Sequence, residues 1–137
     1  MTTTTTETLT VTIDAPPERV TADLADPAAH PEWATEFFAG KAEPLGDTEA
    51  RVRIPMIGGD ARLRVEADVP RGIVDLYLAP ADAPYGPALP VRVVPNGEGA
   101  DVLWTLARQP GMPDEAWDAA LASMRRELDV LRRRLEG

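Results

Sequence analysis

The sequence predicts an α+β fold: an antiparallel sheet of about seven strands, two short helices after the first strand, and a long C-terminal helix over the sheet. Three patterns predict it. Turn signals recur at short, regular intervals between Gly40 and Gly97. The hairpins they define put apolar residues on one face. The closing segment carries a single apolar stripe at helical spacing.

The first strand is "TLTVTID", where Leu9, Val11 and Ile13 alternate with threonines, the period of a half-buried strand. It stops at Pro16 and Pro17. Val20 and Leu24 then have helical spacing, with Asp14 placed as a cap ahead of prolines suited to a first turn. In "DLADPAAHPEWATEFF", Asp26 and Pro27 start a second short helix, and Pro31 restarts a turn within it.

The meander follows, with turns in "LGDT", "GGD", "PRG" and "PNGEG". A turn at Gly58 and Gly59 sets Met56 opposite Ala61, Ile54 opposite Leu63 and Val52 opposite Val65. One at Arg71 and Gly72 sets Val69 opposite Val74, Ala67 opposite Leu76 and Val65 opposite Leu78. One at Gly97 and Glu98 pairs Val93 with Val102, Val91 with Trp104 and Leu89 with Leu106. All three give the same apolar face, and a slip of one residue would put that face in water. The other face collects Arg51, Arg53, Arg62, Arg64, Glu66, Asp68, Asp75, Tyr77, Arg92, Asp101 and Thr105, groups rarely buried unpaired. "APADAPYGPALP", residues 79–90, reads as a loop.

In "MPDEAWDAALASMRRELDVLRRRLEG", Trp117, Leu121, Met124, Leu128, Leu131 and Leu135 form the stripe. Acids open the helix and arginines close it, the distribution its dipole favours. A sheet apolar on one face needs such a cover.

The order of elements resembles the helix-grip fold of the START-related lipid-binding and polyketide cyclase superfamily (SRPBCC). At residue level the likeness lies in "VTIDAPPERVTADLADPAAHPEW", residues 11–33, and in the closing "ELDVLRRRLEG". The resemblance implies a sheet wrapped around the last helix, with a cavity between them whose mouth lies near the short helices and neighbouring loops. It implies Trp33, Phe37 and Phe38 at one end, the 79–90 loop with Tyr85 near an opening, and Met56, Trp104, Trp117 and Met124 toward the interior.

With 137 residues, one domain is expected, residues 7–137, behind a flexible leader, 1–6. A hydrophobic content of 44% indicates a packed core. The net charge of −9 opposes nucleic acid and anionic membrane surfaces as partners. No stretch is long and apolar enough to insert in a membrane, and a cytoplasmic location is expected. Cysteine is absent, which removes disulfides, thiolate nucleophiles and cysteine metal sites.

The single histidine, His30, lies near Asp23, Asp26, Glu32 and Glu36. One histidine without cysteine makes a poor transition-metal site, whereas capping and the helix dipole account for these acids. No metal and no cofactor are expected. Ser123, the one serine, sits mid-helix without a nucleophile elbow, and nucleotide-binding glycine motifs are absent. Lys41 and Glu43 are the two polar groups that a register choice could turn inward. A two-residue turn at Gly46 and Asp47 faces them to the interior, and a three-residue turn returns them to solvent. The expected function is non-covalent binding of a hydrophobic small molecule. A polyketide cyclase or dehydratase, using Lys41, Glu43, Tyr85 or His30, is one alternative. A structural or regulatory protein-interaction module, its partner unassigned, is the other.

Overall fold

In a computed structural model, residues 3–137 are described. Seven strands form one antiparallel sheet in the order β1-β7-β6-β5-β4-β3-β2, so β1 (Thr6–Ile13) and β2 (Glu43–Pro44) are its edges. Between them lie β3 (Glu49–Ile54), β4 (Gly59–Asp68), β5 (Ile73–Pro80), β6 (Leu89–Asn96) and β7 (Gly99–Ala107). The expected leader lies partly outside the described residues. Within it, the Thr4 hydroxyl donates to the Arg108 carbonyl at 2.8 Å, and Thr6 already opens β1.

The two-residue turn at Gly97 and Glu98 holds, and Val93 faces Val102 and Val91 faces Trp104 as expected. The other hairpins have longer turns. Residues 69–71 form a 3₁₀ turn ended by Gly72 at φ +67°, so Val65 faces Leu76 and Leu63 faces Leu78. Residues 55–57 do the same ahead of Gly58, so Val52 faces Ala61 and Ala50 faces Leu63. Both slips are by an even number of residues, which is why the apolar face survives unchanged. They nonetheless move Met56 to the tip of a turn, 80% exposed, and it does not reach the interior.

At the β2–β3 turn, Pro44 faces Ala50 and Glu43 faces Arg51. Five residues, an odd number, separate Pro44 from its partner Ala50, and both Lys41 and Glu43 lie exposed. The 79–90 segment is shorter as a loop than its four prolines suggest. Ala79 and Pro80 end β5 opposite Arg62 and Ala61, and Leu89 and Pro90 open β6 opposite Leu76 and Asp75.

Helix α1 (Pro17–Ala25) is entered through Pro16, without a side-chain cap. Asp14 instead donates its backbone N–H to Glu136 Oε2 at 2.9 Å. Asp26 does cap, accepting from the Ala28 N–H at 3.0 Å, but it opens a 3₁₀ helix, Pro27–Glu32. Two prolines in six residues remove donors and fix φ, which favours the tighter and shorter form.

Helix α2 (Asp114–Glu136) buries the whole expected stripe. It packs along β1, while α1 lies near the 69–71 turn and the 3₁₀ helix against β2, β3 and β4. Leu9, Ile13, Val52, Leu63, Val65, Val74, Val91 and Val102 line the inner face, all buried. Among the described residues, no helix is long and apolar enough to cross a membrane.

Candidate functional site

Three polar side chains are buried in the largely apolar interior, Thr21, His30 and Glu127, and His30 meets Trp33 and Trp104. Trp33, just past the 3₁₀ helix, and Trp104, on the inward face of β7, are edge-to-face with ring centres 5.5 Å apart. The His30 ring is 5.5 Å from Trp33 and 6.4 Å from Trp104. His30 Nε2 lies 2.7 Å from the Leu24 carbonyl oxygen. That contact requires the N–H on Nε2 and leaves Nδ1 the lone pair of a neutral ring. Burial lowers the His30 pKa below 6.5, against smaller opposing effects of the Leu24 carbonyl and the Asp23 and Asp26 charges. The Nε1 donors of Trp33 and Trp104 are buried and have no hydrogen-bond partner among the described residues.

Phe38 and, on α2, Trp117 and Met124 belong to the same continuous buried cluster as Trp33 and Trp104. Phe37 is half-buried and stands edge-to-face on Phe38 at 5.0 Å. So six of the eight expected apolar cavity residues gather inside, and the other two do not. Met56 is on the turn tip. Tyr85 lies on the outer, charged face of the sheet.

There the 81–88 loop folds back over β4 and β5. The Arg62 guanidinium lies 4.7 Å from the Tyr85 ring centre, and that of Arg64 lies 4.8 Å from Tyr77 and 5.2 Å from Tyr85. Tyr85 donates to Glu49, and Arg62 to the Ala83 carbonyl. Burial first, then the hydrogen bond to Glu49, push the Tyr85 hydroxyl up to about 12. The loop is clasped to the outside by cation–π and charge-assisted contacts.

The segment from Ala34 to Gly40 covers the aromatic cluster. It is fastened to the middle of α2 by a residue that sequence reasoning missed, Glu127, only 4% exposed. One oxygen, Oε2, accepts from the Glu36 N–H at 3.0 Å and the Phe37 N–H at 3.1 Å. Burial raises the Glu127 pKa above 4.5, partly opposed by these two donors. The signal was present: Glu127 follows Met124 by three and precedes Leu131 by four, which places an acid on the apolar stripe. Beside it Glu36 accepts from Arg126 (2.9 and 2.7 Å) and from the Ser123 hydroxyl (2.7 Å). Those bonds, Arg126 first, bring the Glu36 pKa down to about 2.

Three of the four acids near His30 have structural partners, and the fourth, Glu32, is exposed. Asp23 pairs with Arg134 at 3.1 Å, Asp26 caps, and Glu36 binds Arg126. No group of metal-ligating side chains forms among the described residues. Ser123 is engaged by Glu36, and Lys41, Glu43, Tyr85 and His30 do not converge on any common point.

Between α2 and the inner sheet face, the apolar side chains form one continuous buried cluster. Two grooves are apparent, both on the surface. One, about 450 Å³, lies between α1 and the end of α2, beside Arg19, Asp23 and Arg134. The other, about 490 Å³, follows the seam between β1 and α2, beside Thr8, Thr10 and Arg125.

Solved structures match over nearly the whole chain. A START superfamily protein from Mycobacterium smegmatis superposes with a TM-score of 0.68 at 17% identity, covering 96% of this chain and 97% of that one. The chain has the START-type helix-grip fold. The KanY protein gives a TM-score of 0.72 at 17% identity, covering 99% of this chain and 100% of that one. For Ara h 8.0201 the values are 0.68 and 9%, over 97% and 98%. No protein-family model and no curated protein matches the sequence. These likenesses establish the helix-grip architecture and leave the chemistry to the residues of this chain.

Proposed function

We propose that the protein binds a hydrophobic small molecule, non-covalently, between the 34–40 segment, α2 and the inner face of the sheet. One observation carries the reading: the aromatic interior is covered by a segment fastened to α2 by Glu127 and Glu36 and to β3 by a single backbone bond, Ala39 N–H to the Arg53 carbonyl, rather than by a secondary-structure ladder. Such a cover can lift without breaking the sheet. The incoming molecule would displace Phe37 and Phe38 from their packing against the cluster and take their place beside Trp33, Trp104 and Met124. Its affinity would come from apolar area removed from water, at about 25 cal/mol per Å².

Native mass spectrometry of the whole chain against a panel of apolar compounds tests this. Stoichiometric complexes that are strengthened by F38A, which removes a side chain the ligand must displace, support it. A panel without a single stoichiometric complex overturns it.

A second reading has its own observation. Met56 and Ile57, 80% and 43% exposed, form an apolar tip on the β3–β4 turn, which suits contact with another protein. It is distinguished by where an apolar probe makes contact, inside at Met124 or outside at Met56.

A further inference from the structure

We infer that the molecule bound inside carries a hydrogen-bond acceptor, a ketone, quinone or ester carbonyl, held by the indole N–H groups of Trp33 and Trp104. This rests on the binding function proposed above and adds the polar chemistry of the ligand.

Trp33 is fully buried and Trp104 nearly so, yet neither Nε1 meets an acceptor among the described residues. Buried tryptophans ordinarily pair this donor, because an unpaired one loses its bond to water without replacement. The rings are edge-to-face at 88°. In that arrangement only one ring presents its edge, so at most one N–H can rest on the other's π face. The second has no such recourse. No acceptor among the described residues lies within hydrogen-bond distance of either indole N–H, and the Leu24 carbonyl already pairs with His30.

Two unpaired donors on rings packed 5.5 Å apart, centre to centre, in a mainly apolar space call for an acceptor oxygen on the ligand, which has two lone pairs to offer. They discriminate against a pure hydrocarbon, which would leave both donors unpaired. They also discriminate against a carboxylate, whose full charge would be stripped of water with only neutral donors in compensation.

A matched pair of probes, 1-indanone and indane, tests this on the full chain. They differ by one carbonyl. The three tryptophans give three indole N–H signals in a ¹⁵N-correlated NMR spectrum, assigned with W104F and W117F. At saturation, 1-indanone is expected to move the Trp33 and Trp104 signals downfield and to spare Trp117, while indane leaves the first two near their free positions. The ratio of indanone to indane affinity should fall about tenfold in W104F, the equivalent of one hydrogen bond.

If both probes bind and 1-indanone leaves the two indole signals unmoved, the donors are satisfied by water or by a ring face, and the inference fails while the binding function stands. If neither probe binds, the binding function fails and takes the inference with it. Should W104F not fold, the wild-type shifts decide alone.

Discussion

Glu127 Oε2 holds the backbone N–H groups of Glu36 and Phe37 at once, 3.0 and 3.1 Å away. A single buried carboxylate on α2 thereby fixes the stretch that lays Phe37 and Phe38 over the aromatic interior. Hydrogen bonds to a charged group contribute about 1.5–3 kcal/mol each, and removing the acceptor also strands two donors. E127A should therefore destabilise the protein by about 3 kcal/mol and speed amide exchange at 36 and 37 before any strand amide. E127Q, which keeps a carbonyl acceptor, should cost less. Equal losses in the two variants would show that Glu127 acts through packing alone.

The neighbouring Glu36 has the opposite pH signature. Arg126 and Ser123 depress its pKa from 4.5 to about 2. Its contribution is present above pH 4.5 and is lost as the pH falls through about 2. Denaturant titrations should show E36Q losing less stability than the wild type between pH 5 and pH 2. Burial raises the Glu127 pKa, so its protonation acts in the other direction and favours the folded state below its folded pKa. Parallel curves for E36Q and wild type would show that the ion pair has no linkage to folding.

His30 sets the behaviour nearer neutrality. Burial lowers its pKa below 6.5, so the unfolded chain takes up a proton that the folded chain refuses. Stability should decline as the pH falls below 6.5, by up to about 1.4 kcal/mol per pH unit until the folded value is reached. The imidazole NMR signals of this sole histidine should stay those of a neutral ring from pH 8 to pH 6.5. A midpoint at or above 6.5 would contradict the buried placement.

Gly72 is required twice over. Its φ of +67° disfavours any side chain, and a Cβ there would lie 2.1 Å from the Val93 carbonyl oxygen, whose own N–H donates to Gly72. G72A should cost more than about 2 kcal/mol, the left-handed penalty plus the clash. G58A, at φ +96° with nothing within 4 Å of the new Cβ, should cost only about 1–2 kcal/mol. Equal midpoints in thermal denaturation would contradict the close packing of the 69–72 turn on β6.

Tyr85 reports the clasp on the outer face. In Y77F it is the only tyrosine left, and its hydroxyl is raised to about 12. Phenolate absorbance should be nearly absent at pH 10.5 while circular dichroism still shows a folded chain. A half-developed signal at pH 10 would place the 81–88 loop away from Arg62 and Glu49.

The apolar face, the α2 stripe and the Val91–Trp104 pairing were legible in the sequence because periodicity depends on parity, and parity survives a slip of two or four residues. The turns at 55–58 and 69–72 were not, because Pro55 and Pro70 lie in the first two positions of 3₁₀ turns whose length the glycines alone do not reveal. That length is what put Met56 outside. The 81–88 loop was misplaced for a different reason: Tyr85 finds Glu49, 36 residues earlier, a long-range pairing that no local pattern encodes. Trp33, Phe38, Trp104, Trp117 and Met124 were placed inside by the resemblance together with strand and helix spacing. How closely they fit together there depends on packing that spacing does not specify.

The most direct test of interior binding uses methyl-labelled methionine. Met124 is buried beside the proposed site and Met56 is on the exposed turn tip. With the full chain saturated by indane, nuclear Overhauser contacts should run from the probe to the Met124 methyl and not to that of Met56. Contacts confined to Met56, or none to Met124 at saturation, would contradict a binding site inside the helix-grip core.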